Sequence, residues 1–293
     1  MPAPTHLNWE AETLWQRLEP LLPGLTVEVL AEAGSTNAML LERARRGDAL
    51  PALLVAERQT AGRGRQGRTW HSSPAASLTF SLSLPLARGD WSGLSLAVGL
   101  SLAESLDPAQ AEQPPRIGLK WPNDLLLDSA AGAGRKLCGI LIESMPVGSR
   151  RLAVIGIGLN VAPIELGPGD PAVDPSRPPV EGGGAAFSQG YACLRELHPG
   201  ITAPEALARV AEPLVRMVLG FEQAGFAAYR TRYEARDVFL GHEVITTLAD
   251  GTHGIAEGVA DDGALRVRAG DRLVSLIGGE VSVRRTAPEA PPC

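Results

Sequence analysis

No stretch of this chain comes near the ~18 consecutive apolar residues that a membrane-crossing helix requires. The N-terminal segment MPAPTHLNWEAET has no basic stretch leading into an apolar one, so no signal peptide is indicated and the expected location is the cytoplasm. Cysteine is scarce: Cys138, Cys193 and Cys293 form no CxxC pair, which points to free thiols. Cys138, inside KLCGILIES, reads as a small buried hydrophobe. The five histidines are scattered without HxH or HExxH spacing, so a structural zinc site lacks neighbouring ligands. Basic charge is in deficit: 27 Lys and Arg face 33 Asp and Glu, a net charge of -6, which argues against a broad grip on DNA.

What is present is ordinary globular composition, with 44% hydrophobic and 20% charged residues. The 293 residues suffice for one large domain with a small companion. Leu14, Trp15, Leu18, Leu21 and Leu22 predict a helix over 9–22, halted by Pro23 and Gly24. TVEVLAEA then reads as a strand, GSTN (34–37) as a strand-to-helix turn with Ser35 or Thr36 as N-cap, and ALLVAERQ as the next strand. In SLTFSLSLP, Leu78, Phe80, Leu82 and Leu84 alternate with Ser or Thr, the period of a strand buried on one face. A helix is expected from about Trp91 to Leu106, followed by IGLKW, LLLD, KLCGILIES and RLAVIGIGLN as neighbouring strands of one sheet. Residues 163–186, rich in Pro and Gly, read as a long surface loop. Helical patterns return over 187–197 and 204–233. From Gly241 to Arg284, short segments broken by DG, DDG, GD and GG predict a small β-barrel or sheet, and TAPEAPPC a disordered tail.

One cluster stands against the acidic background: Arg58, Arg63, Arg65 and Arg68 fall close together, the last three within GRGRQGR. Gly62–Gly67 fits G-x-G-x-x-G, and with Arg68 and Thr69 misses the P-loop pattern by Arg for Lys. Both motifs need a helix next, whose N-terminus receives the phosphate. His71, Ser72, Ser73 and Pro74 and then an alternating strand follow instead, so both matches read as accidental. Glycines that let backbone N–H groups approach an anion, interleaved with forked guanidinium donors, still suit phosphate or carboxylate. A solvated basic loop is an equal alternative. A nucleic-acid-binding arm would call for further basic patches with aromatics.

GSTN, QTAGRGRQGRTW (59–70), LKWPNDLLL (119–127), GRKLCGILIE (134–143) and VIGIGLN (154–160), in this order, together resemble the biotin protein ligases. The resemblance is strong over about 30–160 and looser over 190–286. It implies a class II synthetase-like α/β (α+β) core, a mixed sheet flanked by helices, over residues 1–238, then a small C-terminal SH3-like β-barrel over 239–286 and a disordered tail over 287–293. It also implies an activity: ATP and Mg²⁺ convert biotin to biotinyl-5'-AMP, and the biotinyl group passes to a lysine of a biotin carboxyl carrier domain.

Such a site must bring two anions together, which requires concentrated positive charge. By resemblance, Lys136, Arg63 and Arg65 are catalytic. Ser35, Thr36, Asn37, Gln59, Arg63, Gly64, Arg65, Lys136, Gly139 and Gly156 hold biotin. Arg65, Arg68, Trp70, Asn123, Lys136 and Asn160 hold ATP, with Trp70 beside the adenine. Asp124 is the magnesium ligand, Pro122 setting the turn that projects it with Asn123. Gly139, Gly156 and Gly158 interrupt apolar strands, where something must approach the backbone: the ligand, a bulge or a helix contact.

About thirty residues precede GSTN, too few for the winged helix of repressor members, so a form without an N-terminal DNA-binding domain is expected, with neither nucleic acid nor membrane as partner. The family's pairing through sheet edges makes a homodimer one expectation. A lipoate-type ligase and a non-catalytic biotin sensor are the alternatives; GRGRQGRTW and KWPND favour biotin, and Lys136 with Asp124 favours catalysis.

Overall fold

Alternating and β-branched segments become strands, and side-chain caps at Ser35 and Thr202 set the starts of two helices. The computed structural model describes residues 7–87, 89–110, 113–128, 134–163, 191–246, 251–277 and 283–285. The 287–293 tail lies outside these residues, as does nearly all of the 163–186 loop and of the 130–134 insertion. Helix α1 (Ala11–Leu18) is shorter than the expected 9–22 and buries Leu14 and Leu18. Strand β1 (Thr26–Ala33) leads through Gly34 into α2 (Thr36–Arg45), whose N-cap is Ser35, its side chain accepting from the Ala38 N–H at 3.5 Å. Strands β2 (Ala52–Gln59) and β3 (Ser77–Leu86), helix α3 (Leu94–Leu106), β4 (Ile117–Lys120), β5 (Asp124–Leu127), β6 (Arg135–Val147) and β7 (Arg150–Asn160) follow.

These seven strands form one sheet in the order β1-β2-β3-β7-β6-β5-β4. Only β1 and β2 run parallel; every other neighbouring pair is antiparallel, so the sheet is mixed. The expectation of four neighbouring strands from IGLKW to RLAVIGIGLN holds, as β4 to β7 are contiguous.

Two helical patterns need correction. Among the described residues of 187–197 there is a 3-10 turn at Leu194–Glu196 rather than a helix. The 204–233 pattern is two helices, α4 (Ala203–Ala224) and α5 (Arg230–Glu234). Gly225, at φ 71 and ψ -171, ends α4, because that conformation, open to glycine, cannot continue an α-helix. At the other end Thr202 and Glu205 form a reciprocal capping box that satisfies two orphan N–H groups.

Strand β3 is buried on both faces, not one: Ser77, Thr79, Ser81 and Ser83 are each at most 2% exposed. On one face Phe80, Leu82, Ile140 and Ile157 join the main core with α3 and α4. On the other, α2 lays Leu40, Leu41 and Ala44 over Leu54, Leu152 and Val154. That helix covers only part of its face. The remainder carries Thr79, Gly139, Gly156 and Gly158, residues too small to fill the space above them.

The C-terminal strands β8 (Glu243–Thr246), β9 (His253–Val259), β10 (Leu265–Ala269), β11 (Arg272–Leu276) and β12 (Val283–Arg285) make a second, antiparallel sheet in the order β11-β10-β9-β8-β12. It is consistent with the expected SH3-like module. Its contact with the first sheet is specific: the Trp121 indole N–H donates to the Gly263 carbonyl at 3.0 Å. A Cβ on Gly263 would lie 2.6 Å from Gly93 Cα, so the two backbones touch there and a side chain cannot fit.

Candidate active site

Side chains directly opposite in a ladder project to the same face, so register defines the floor of the site. One row is Ser81–Gly156–Leu141; two residues along, another runs Thr79–Gly158–Gly139–Asp124–Lys120. Helix α2 begins above the first row and the GRGRQGR loop folds over the second.

The first row carries a polar network of short side chains, with Glu143 at its outer end. Asn37 rests on Gly156, where a Cβ would come within 2.3 Å of Asn37 Oδ1. Its Nδ2 donates to Leu141 O at 3.2 Å and to Glu143 Oε2 at 2.9 Å. Ser81 Oγ lies 2.6 Å from both Asn37 Oδ1 and Thr36 Oγ1. Since an amide oxygen only accepts, the Ser81 proton goes to Asn37, and Ser81 accepts from Thr36. The Thr36 backbone N–H donates to Gln59 Oε1 at 2.8 Å, which leaves the Gln59 amide N–H₂ as a donor at the pocket wall. Short donors and acceptors beside apolar strand residues suit a small planar polar group such as a ureido ring.

The second row is the charged end. Lys136 Nζ lies 2.8 Å from Asp124 Oδ1, an ion pair by distance whose angles do not make a hydrogen bond. The same ammonium sits 5.7 Å from the Trp70 ring centre. Two donors fix the Lys136 carbonyl: Asn160 Nδ2 at 3.2 Å and Ala192 N at 2.9 Å. The Trp121–Pro122 peptide is cis, and beyond it Asn123 Nδ2 donates to Ile140 O at 2.8 Å.

In the arginine loop, Gly64 N donates to Arg68 O at 2.7 Å and Trp70 N to Gly62 O at 2.9 Å, closing a tight hairpin. A Cβ on Gly62 would lie 2.4 Å from Trp70 O, so only glycine fits. After Gly67 the chain runs extended at Arg68 and on toward β3 with no helix, where either phosphate-binding motif requires one, in line with reading both matches as accidental. Arg65 reaches from the loop to Asn123 Oδ1 at 3.0 Å; burial lowers its pKa, an effect that Asp124 opposes. Arg63 is exposed, while Arg68 donates to Gln66 Oε1 at 3.1 Å. Arg58 lies apart, paired with Glu32 at 3.1 Å on the surface.

A single pocket brings together every residue singled out from the motifs: Ser35, Thr36, Asn37, Gln59, Arg63, Gly64, Arg65, Arg68, Trp70, Asn123, Asp124, Lys136, Gly139, Gly156, Gly158 and Asn160. What approaches the glycines are side chains of the chain itself. Asn37 lies over Gly156, and Trp70 lies over Gly158 and Gly139, where added Cβ atoms would come within 2.2 and 3.1 Å of its ring. The Trp70 indole N–H is buried with no acceptor. Lys120, His71 and Tyr191 also line the pocket, and Ser81 and Glu143 support it, although motif reasoning passed over all five. Lys120 stands inside KWPND; Ser81 was hidden because its alternation looked like a solvent face.

Residues 34–160 match the biotin/lipoate A/B protein ligase family, and residues 239–284 match the biotin protein ligase C-terminal domain. Over 270 residues, 87% of this chain and 88% of the relative, it is 35% identical to the biotin–[acetyl-CoA-carboxylase] ligase of Mycobacterium tuberculosis. The chain belongs to the biotin protein ligase family. It is also 33% identical to the bifunctional ligase/repressor BirA of Escherichia coli, over 97% of this chain and 80% of that protein. Among solved structures, the biotin protein ligase from Aquifex aeolicus in complex with biotin and ATP superposes with a TM-score of 0.68 at 26% identity, covering 89% of this chain and 99% of that one. This biotin protein ligase is therefore an ATP-dependent enzyme of the mixed α/β class expected from its motifs, with a C-terminal β module.

Proposed function

We propose that this pocket performs both half-reactions of biotin attachment, condensing biotin with ATP to biotinyl-5'-AMP and passing the biotinyl group to a lysine of a biotin carboxyl carrier domain. The observation that carries this reading is the polarity of the floor. Ser35, Thr36, Asn37 and Gln59 make an uncharged polar end for the ureido ring, Gly139 and Gly156 let Trp70 and Asn37 lie low on the floor so that biotin fits above them, and Arg63, Gly64, Arg65 and Lys136 stand where the carboxylate ends. Arg65, Arg68, Asn123, Lys136 and Asn160 surround the place for ATP, with Trp70 beside its adenine.

A carboxylate must be activated before an amine can displace it. Arg65 and Lys136, half-buried and fixed by Asn123 and Asp124, offset the repulsion between the biotin carboxylate and the α-phosphate, with little reorganisation. The loop of Gly62–Gly67 covers the mixed anhydride and excludes water. Mg²⁺ fits the donor set as an ion carried by ATP: among the described residues no three His, Cys, Asp or Glu converge, but one carboxylate with phosphates is a usual magnesium arrangement. Asp124 would hold it, and the ion would neutralise phosphate charge.

We further assign residues 1–238 to catalysis and 239–286 to the barrel, and place the enzyme in the cytoplasm. No described helix is long and apolar enough to cross a membrane. The direct test is incubation with ATP, Mg²⁺ and labelled biotin, with and without a carrier domain. Label retained as adenylate without the carrier and bound covalently to it when present is the expected result. Binding of biotin without pyrophosphate release would make the protein a sensor instead.

A further inference from the structure

We propose that Glu143, which stands behind the main pocket rather than in its lining, is a specificity-determining positioning residue. Its carboxylate ends a hydrogen-bonded chain whose other end is Thr36, and the direction of that chain makes the Thr36 hydroxyl an acceptor toward the ligand. The inference rests on the pocket being the biotin site.

Register sets the position. Glu143 lies opposite Val154, two residues along β6 from Leu141 and on the side away from Gly139 and Asp124. Four residues separate it from Gly139, about 13 Å of strand, so its charge is remote from the place of the biotin carboxylate. It borders instead a second cavity that the arginine loop also lines, with Arg63 and Arg65 among its walls.

From Ser81 onward every proton in the chain points toward Glu143. A carboxylate and a backbone carbonyl accept and never donate. Asn37 therefore turns its amide nitrogen to Glu143 Oε2 at 2.9 Å and Leu141 O at 3.2 Å, which uses both protons and leaves Oδ1 for Ser81. The Ser81 hydroxyl gives its proton to that oxygen at 2.6 Å. Thr36 Oγ1 then has two acceptors within the protein, Ser81 Oγ at 2.6 Å and Gln59 Oε1 at 3.3 Å, and its single proton goes to one of them. Either way only lone pairs remain to face the pocket. Gln59 is the opposite case, since the Thr36 N–H holds its Oε1 at 2.8 Å and its N–H₂ group is the donor at the wall. A donor from Gln59 beside an acceptor from Thr36 is the complement of a ureido carbonyl and its neighbouring ring N–H.

Leu141 O alone would hold the Asn37 amide by one neutral hydrogen bond. Glu143 adds a charge-assisted one, roughly twice as strong. An amide turned the other way would set its oxygen against both acceptors. Thr36, Asn37 and Ser81 are at most 3% exposed, where bulk water cannot satisfy a misdirected proton. Hydrogen bonds aligned toward one anion also polarise each other, so the Thr36 oxygen gains strength as an acceptor.

The test uses the whole enzyme with biotin and the two cyclic-carbamate analogues in which one ring N–H is replaced by oxygen, a lone pair in the place of a proton. Calorimetry reads affinity, and biotin-dependent ATP–pyrophosphate exchange reads the KM for ATP. The parent enzyme should reject one analogue by about a hundredfold or more, the isomer whose ring oxygen meets Thr36. Glu143→Leu should lower that ratio by about tenfold and weaken biotin binding, with the KM for ATP within about twofold of the parent value. Glu143→Gln, whose side-chain oxygen still accepts from Asn37, should keep the ratio within about threefold of the parent. An unchanged ratio in Glu143→Leu, a Gln variant as impaired as the Leu variant, equal weakening toward ATP, or a parent enzyme that accepts both carbamates would overturn the assignment. A parent enzyme that binds no biotin would instead refute the proposed function, a result distinct from any effect at Glu143.

Discussion

Asp124 and Lys136 hold one another across neighbouring strands, Oδ1 to Nζ at 2.8 Å, with side chains only 19% and 22% exposed. The residue expected to bind metal and the residue expected to steady the reacting carboxylate are therefore one pair. Removing either charge leaves the other half-buried and unmatched. Lys136→Met should abolish adenylation and also lower unfolding stability by about 1–3 kcal/mol, between values for exposed and fully buried pairs. Adding Asp124→Asn should return much of that stability without activity. A double-mutant cycle in urea shows the coupling; purely additive losses would mean the pair does not hold the site together.

Gly158 and Trp70 share one volume. An alanine Cβ at 158 would lie 2.2 Å from the Trp70 ring, so the indole must leave the floor. Gly158→Ala should cost about 1–3 kcal/mol, the usual penalty of overpacking. Replacing Trp70 with Ala in the same chain should relieve most of it. If the double variant is no more stable than Gly158→Ala alone, the tryptophan is not what the glycine accommodates.

Ser81 lies behind the pocket lining, yet its hydroxyl gives Asn37 Oδ1 its donor at 2.6 Å in a fully buried setting. Ser81→Ala leaves that amide oxygen unmatched, at a cost of about 1–3 kcal/mol. The expected outcome is weaker biotin binding by about tenfold with the KM for ATP little changed, read by calorimetry and steady-state kinetics. Equal weakening toward both substrates would point to general loosening of the fold.

These cases show what could be read from the chain beforehand. Strand positions and the helix after GSTN follow from local periodicity and capping, and the motif residues converge because the floor joins strand interiors to their flanking turns. The second buried face of β3 was not legible, because serines alternating with leucines look the same whether water or α2 lies above them. Nor was the break at Gly225, where the apolar stripe continues across a residue that turns the chain. Ser81 becomes visible only through register, which depends on β3 pairing with β7 across a long gap in sequence.

Arg65 ties the glycine loop to the β4–β5 hairpin through Asn123 Oδ1 at 3.0 Å. Arg65→Gly removes that tether and, under the proposed function, a guanidinium for the mixed anhydride. Adenylate should then escape before transfer, with dissociation faster by about a hundredfold or more, and free biotinyl-5'-AMP should label bystander lysines. A filter-binding dissociation assay gives the rate, and retention equal to the parent enzyme would remove Arg65 from this role.

The segment that carries Ala192 to the Lys136 carbonyl is fastened by charge. Arg135 pairs with Glu196 at 2.5 Å and Arg116 with Asp128 at 2.9 Å, and Glu196 also accepts from Cys193 N at 3.0 Å. Hydrogen bonds from Arg135 and Arg116 lower the pKa of Glu196 and Asp128 respectively. A carboxylate depressed in the folded state stabilises it fully above its unfolded value, and that contribution fades as pH falls through the folded one. For these groups the loss begins below their ordinary values of 4.5 and 3.8. The melting temperature should therefore drop on acidification from pH 5 toward pH 3. Arg135→Gln should make that drop shallower, since Glu196 loses the partner that depressed it, and should slow adenylation by loosening the backbone at Lys136. An unchanged acid slope in this variant would show that the Glu196 pair does not contribute to acid sensitivity.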